Sequence, residues 1–480
     1  MKRNLTMLMD LYEMTMANGI FKSDMKDKIA YFDMFFRRVP DGGGYAIMAG
    51  LEQLMEYFKN LHFEDDDIDY LASTGLFSEE FLNYLKDFKF SCDVWAVPEG
   101  TPIFPMEPIV TVRGPAIQAF LVETMVLLTI NHQSLIATKS NRICSVAGTR
   151  PVMEFGARRA HGYDAAYYGA RAAIIGGCLG TSNVKTAKDF NVPASGTMAH
   201  SWVQLYEDEY TAFKTYAEEY PDSCTLLIDT FNVLKSGLPN AIKCFDEVLK
   251  PKGFRPKGVR IDSGDIAYLS KKIRKALDDA GYPDCQIVVS NSLDEYLIKE
   301  LDSQGAKVNS FGIGERLITA SSEAVFGGVY KLAAVEDEDG TIVPKIKISE
   351  NIAKITLPGV KIPWRLYDKE TGKAIADVIC LNYEKIDDTK PYEIFDPVHT
   401  WKRKTVTNFI AKKLQIKIME NGAQVYESPK VKEISLYRKE CVDNLWDEVK
   451  RFENPHAYYV DLSEDLWNLR QELLRKGSSK

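Results

Sequence analysis

At 480 residues and 45% hydrophobic content the chain exceeds one ordinary domain and can bury a large core. Its 60 basic and 68 acidic residues leave a net charge of −8 with no long basic run, which argues against non-specific nucleic-acid binding, because phosphate neutralisation needs clustered Lys and Arg. The eight cysteines lack metal-type spacing, the N-terminus lacks an apolar leader, and no uninterrupted apolar run of membrane-spanning length is read, so reduced thiols, no membrane and a cytoplasmic protein are expected.

In chain order, residues 29–36 read as a strand running into the turn signal Arg37-Arg38-Val39-Pro40-Asp41-Gly42-Gly43-Gly44. Residues 51–61, 78–88 and 116–131 carry helical periodicity. Residues 92–97 read as a strand, and 102–112 as strands interrupted by Pro105 and Pro108. These elements predict an N-terminal α+β domain over 1–135.

From Pro151 to Gly328 one unit recurs seven times, a short apolar run that ends in small and polar residues. The ends are Glu154-Phe155-Gly156-Ala157-Arg158-Arg159, Gly180-Thr181-Ser182-Asn183, Gly196-Thr197-Met198-Ala199-His200-Ser201, Asp229-Thr230-Phe231-Asn232, Arg260-Ile261-Asp262-Ser263-Gly264-Asp265, Ser290-Asn291-Ser292 and Phe311-Gly312-Ile313-Gly314-Glu315. Most are separated by enough chain for one helix, so a parallel α/β barrel is expected over 136–340. In such a barrel the strand C-termini share one mouth, where chemistry takes place. The polar set there, rich in Arg, Asp, Ser, Thr and Gly with a single His, suits a phosphorylated anionic substrate. Beyond it, 345–348 and 361–367 alternate as antiparallel strands, 431–451 and 463–476 read as amphipathic helices, and 477–480 as a short frayed tail. This C-terminal region, 341–480, is expected to pack on the N-terminal domain and the barrel.

His200 can serve as acid, base or nucleophile, against the alternative of a core histidine bonded to backbone. Arg260 and Asp262 alternate onto one side of their strand, and the carboxylates of Asp262 and Asp265 could hold ribose hydroxyls or a hydrated Mg²⁺, with Asp262 or Ser263 as a cap of the next helix. Gly312 and Gly314 precede a helical stretch and could cradle a phosphate through backbone N–H groups, with Gly327 and Gly328 as a second place of close approach. Glu315 is an anion placed where an anion should bind, so it turns outward or ligates a metal. Phe155 could stack on a planar ring, and Arg158 could grip a diphosphate bidentately.

Together with Asp10-Leu11-Tyr12-Glu13-Met14-Thr15-Met16 and Gly327-Gly328-Val329-Tyr330-Lys331-Leu332, these motifs resemble the nicotinate phosphoribosyltransferases over most of the chain. The resemblance implies an incomplete α/β barrel of the type II phosphoribosyltransferases, with a second α+β domain built from both chain ends. It implies a homodimer with shared active sites. The implied reaction joins nicotinate to 5-phosphoribosyl 1-pyrophosphate, giving nicotinate mononucleotide and pyrophosphate, with ATP hydrolysis coupled through a phosphohistidine, Mg²⁺ required, and the product entering NAD synthesis. By the same resemblance His200 is the phosphorylated residue, Phe155 lies under the pyridine ring, and Tyr12 of the partner subunit covers its other face. Arg158 and Arg260 bind anions, Asp262 and Asp265 lie in the ribose and magnesium region, Ser182 and Thr197 lie at the nicotinate, and Gly312, Gly314, Gly327 and Gly328 form the 5′-phosphate cradle. Three positions depart from the family pattern: Glu315-Arg316 stand where Thr is usual, Met9 where Thr is frequent, and Ile352 where Pro is frequent. Two alternatives are a nicotinamide phosphoribosyltransferase, which carries Asp in place of Ser182, and a non-catalytic nucleotide sensor on the same fold. A quinolinate phosphoribosyltransferase fits less well, being a shorter chain without the histidine motif.

Overall fold

Short aliphatic runs form six parallel strands in the unit Ile136–Ala324: β1 (Val152–Glu154), β2 (Gly180–Thr181), β3 (Thr225–Leu227), β4 (Gly258–Ile261), β5 (Gln286–Val289) and β6 (Ser310–Ile313). Their order across the sheet is β2-β1-β6-β5-β4-β3, and every neighbouring pair is parallel. Leu226, Leu227, Val259, Ile261, Ile287, Val289, Phe311 and Ile313 are buried, as expected where a parallel sheet is covered on both faces. Helices Tyr163–Gly176, Leu238–Cys244, Ile266–Asp279 and Glu295–Ser303 fill the crossovers. In Ile266–Asp279 the buried residues Ile266, Ser270, Ile273 and Leu277 follow helical spacing, and the Asp265 side chain accepts from the Tyr268 N–H to cap the first turn. The computed structural model describes residues 3–351 and 354–478; Ile352 and the tail residues Ser479 and Lys480 lie outside them.

The seventh expected strand is absent. The segment ending in Gly196–Ser201 makes one isolated parallel bridge, Ala194 to Thr181, and then runs without ladder bonds into the helix His200–Leu205. Pro193 cannot donate to a ladder, and Gly196 adds neither packing nor stiffness. The segment instead spans the seam between the two edge strands. Its Ser195 N–H donates to Thr181 O at 2.9 Å, and His200 meets Thr230, just past β3, at 3.1 Å. The sheet is therefore an incomplete α/β barrel whose open side carries the histidine motif.

The second unit is built from both chain ends, Met1–Leu135 with Val325–Lys480. Its seven-stranded sheet runs Ile342–Pro344, Val329–Glu336, Ile29–Phe35, Val110–Pro115, Asp93–Ala96, Ile416–Glu420, Ala423–Gln424, antiparallel throughout. A four-stranded sheet joins Phe409–Lys413, Lys361–Asp368, Ala374–Leu381 and Val460–Leu462. Because Val329–Glu336 pairs with Ile29–Phe35, the boundary falls at 324 and not at the expected 340. Strand Ile342–Pro344 takes the place expected for 345–348, the helix expected over 431–451 ends as Val431–Asp443, and Gly477 belongs to the helix Glu464–Ser478 and not to a tail.

The helical stretch expected at 116–131 continues as Ala116–Phe120 and Glu123–Ala147. This 32-residue stretch, although interrupted by polar residues, is long and apolar enough to cross a membrane by length and composition; 61% of its most apolar window is buried, as in a core helix. All eight cysteines are free thiols.

Candidate active site

The parallel strands bring chain segments far apart in sequence to one set of C-terminal ends. Arg260 is the hub of one side. Its Nε donates to Ser290 Oγ at 2.9 Å, its Nη1 to Thr197 Oγ1 at 2.5 Å and to Met198 O at 3.2 Å, and its Nη2 lies 3.6 Å from Asp262 Oδ1. The Ser290 hydroxyl donates in turn to Asp262 Oδ1. Below this pair lies Asp229, whose Oδ2 accepts the Asp262 N–H at 2.9 Å and the Ser263 hydroxyl at 2.6 Å. Asp229 Oδ1 is buried with no donor among the described residues. His200 completes the group, with Nδ1 3.1 Å from Thr230 Oγ1 and Nε2 3.8 Å from Asp262 Oδ2. Thus His200, Arg260, Asp262 and Thr197 meet as expected from the strand ends. Asp229, Thr230 and Ser290 belong to the same group. Their strand-end positions were the available signal, but nothing in the one-dimensional pattern ranked them above other hydroxyls and carboxylates.

The other side is built on β1, β2 and β6. Phe155 follows β1, and its ring lies against Gly312 so closely that a Cβ there would collide with it. Gly312 is therefore explained by ring packing, and at Gly314 a Cβ would lie 3.2 Å from the Phe155 carbonyl oxygen. Ser182 is exposed just past β2, with its N–H held by the Glu154 carbonyl at 2.9 Å. Arg158 is exposed in the short turn Ala157–Arg159. Glu315 accepts the Ser292 hydroxyl at 2.6 Å and lies 3.9 Å from Arg159, while Arg316 pairs with Asp294. Asn291 and Ser292 both hold positive φ, 93° and 37°, a strained backbone of the kind that collects at functional strand ends. Asp265 is exposed and occupied in capping its helix, so it stands apart from the Arg260 group.

Three expected site residues belong to the other unit. Gly327 takes φ +73°, open to glycine, and Gly328 donates its N–H to Asn131 Oδ1 at 3.1 Å in a space that excludes a Cβ. Tyr12 lies on the helix Leu11–Phe21 and is 44% exposed; its phenol is pushed up to about 12 by partial burial and by the carboxylates of Glu123 and Glu13. No group of three or more His, Cys, Asp or Glu placed to hold a metal occurs among the described residues.

Comparison with known proteins identifies relatives along the whole chain. Sequence models of the nicotinate phosphoribosyltransferase N-terminal domain, the nicotinate phosphoribosyltransferase family and the nicotinate phosphoribosyltransferase C-terminal domain match residues 7–131, 151–357 and 360–470. The chain is 45% identical to the nicotinate phosphoribosyltransferase of Bacillus subtilis over 479 residues, covering 99% of this chain and 96% of that protein. It is 32% identical to the nicotinate phosphoribosyltransferase of Dictyostelium discoideum, covering 97% and 88%. The crystal structure of human nicotinic acid phosphoribosyltransferase matches with a TM-score of 0.83 at 29% identity, covering 98% of this chain and all of that one.

Proposed function

The chain belongs to the nicotinate phosphoribosyltransferase family, and from that premise we propose that it joins nicotinate to 5-phosphoribosyl 1-pyrophosphate, releasing nicotinate mononucleotide and pyrophosphate for NAD synthesis, with ATP hydrolysis coupled through phosphorylation of His200. The observation that carries this reading is the hydrogen-bonded group of Arg260, Asp262, Ser290 and Thr197 at the strand ends, with His200 Nε2 3.8 Å from Asp262 Oδ2. It sets a guanidinium, a carboxylate and an imidazole beside one another where a ribosyl diphosphate would need charge neutralisation, orientation and a link to ATP.

Ring stacking falls to Phe155, whose ring is fixed by its contact with Gly312. The Ser182 hydroxyl can donate to a ligand carboxylate, which favours the acid over the amide. As the pyridine nitrogen bonds to the ribose C1, the bond from C1 to pyrophosphate breaks and negative charge grows on the leaving group. In this reading Arg260 and the exposed Arg158 meet that charge. With the His200 proton on Nδ1 and directed to Thr230, Nε2 is the atom left to accept the γ-phosphoryl group of ATP.

The acidic pair fits a hydrated Mg²⁺, because such an ion keeps most of its waters and takes one or two carboxylates with substrate phosphates. Asp229 Oδ1 is a buried acceptor in need of a positive partner, and Asp262 would hold the ion beside it. When bound, the ion supplies charge neutralisation to the phosphate groups.

Incubation with γ-labelled ATP and Mg²⁺ should give an acid-labile, base-stable phosphoryl-enzyme. His200→Ala and His200→Asn should lose both the label and the stimulation by ATP while keeping slow ATP-independent transfer. Label on another residue, or full coupling in these variants, would refute the assignment.

A further inference from the structure

We propose that Glu154 is a positioning residue for the pyridine pocket, bracketing the ends of β1 and β2 so that Phe155 and Ser182 keep one fixed spacing; this rests on the reading that those two residues hold nicotinate. Glu154 is 0% exposed. Its Oε2 accepts the Thr181 hydroxyl at 2.5 Å, its Oε1 accepts the Gly156 N–H, and its carbonyl accepts the Ser182 N–H at 2.9 Å. Glu154 therefore ties down Gly156, the residue after Phe155, together with Thr181 at the end of β2 and Ser182 just past it.

The donor pattern explains why a carboxylate stands there. The Thr181 hydroxyl oxygen already accepts the Asn183 N–H at 3.0 Å, so its proton is directed at Glu154. Gly156 N–H is the second donor. Two donors call for two acceptor oxygens, which Glu offers and Gln does not, since the amide nitrogen of Gln would face one of the donors. The packing is equally specific. A Cβ at Gly156 would lie 2.8 Å from Glu154 Oε1 and 2.6 Å from Ile318 Cβ, so the turn after Phe155 closes onto this carboxylate only with glycine. Burial pushes the Glu154 carboxyl up, while the Thr181 and Gly156 donors pull it down.

The test is steady-state kinetics with nicotinate and phosphoribosyl pyrophosphate varied separately, on the full-length enzyme and its Glu154→Gln, Thr181→Val, Thr181→Ser and double Glu154→Gln/Thr181→Val variants. Losing one buried charge-assisted hydrogen bond should raise KM for nicotinate on the order of tenfold. KM for phosphoribosyl pyrophosphate should stay within about twofold, because the Arg260 group makes no bond to the bracket. Thr181→Ser, which keeps the hydroxyl, should behave as the parent, and the double variant should be no worse than Glu154→Gln. The proposal is overturned by parallel losses for both substrates, by additive effects in the double variant, or by Thr181→Ser failing like Thr181→Val. If the unmodified enzyme turns over nicotinate and the variants keep its KM, the bracket alone is wrong. If the unmodified enzyme does not use nicotinate, the parent reading falls and takes the bracket with it.

Discussion

Replacing Ser182 by Asp would set a carboxylate where the proposed ligand carries its own, and like charges in a partly desolvated pocket repel. Ser182→Asp should raise KM for nicotinate at least about tenfold and admit nicotinamide, read from initial rates with each base; unchanged rates for both would remove Ser182 from the account of specificity. Gly312 is a second residue-scale test. A methyl there would displace the Phe155 ring, so Gly312→Ala should lose about 1–3 kcal/mol of stability in denaturant unfolding and weaken nicotinate use. A variant with parental stability and KM would mean the ring is not held by this contact. The two glycines also show what a sequence conceals. The motif Phe311-Gly312-Ile313-Gly314 reads as a phosphate cradle, yet the close partner of Gly312 is an aromatic ring delivered from a different strand. The cap of the following helix is expected at Asp262 or Ser263, but Asp265 accepts the Tyr268 N–H and takes that place. Asp229 sat in a strand end in plain view, but only folding places it under Asp262.

The helix Leu11–Phe21 carries Glu13, a buried carboxyl whose Oε1 accepts the Thr124 N–H and hydroxyl while Oε2 has no partner among the described residues. Burial pushes this group up to about 7. Between its ordinary value and about 7 the unfolded chain ionises while the folded one stays neutral. Its contribution is therefore fully present in acid and lost as pH rises through about 7. The stability advantage of Glu13→Gln over the parent should grow from about pH 5 to about pH 8 and then level off, as followed by Tm. An offset independent of pH would contradict this. Elements with strong periodicity were legible: the strand at 29–36 appears as Ile29–Phe35 and the helix at 51–61 as Leu51–Asn60. The apolar run before Gly196 was misread because an apolar run does not say whether its N–H groups find a ladder, and Pro193 and Gly196 argue against one.

For the chain as a whole, both ends are expected to contribute to one α+β domain and the middle to form a barrel, and the chain divides into a unit built from both ends and a unit of Ile136–Ala324. The boundary at 340 failed because the alternation of Val329–Glu336 fits either a barrel strand or an edge of an antiparallel sheet, and only its pairing with Ile29–Phe35 decides. Leu8, Leu11, Tyr12 and Leu128 are exposed large side chains of the second unit. If Tyr12 serves the pocket of the other subunit, mixing Tyr12→Ala with His200→Ala protein, neither of which should support ATP-stimulated transfer, should restore part of that transfer once subunits exchange; no recovery after demonstrated exchange would exclude shared sites.

The reaction itself can be followed by supplying purified enzyme with phosphoribosyl pyrophosphate, Mg²⁺ and either nicotinate or nicotinamide, with and without ATP, and separating the products. Nicotinate mononucleotide and pyrophosphate should form in equal amounts, faster with ATP, with little product from nicotinamide. Absence of nicotinate mononucleotide under all these conditions, or a preference for nicotinamide, would contradict the proposed reaction.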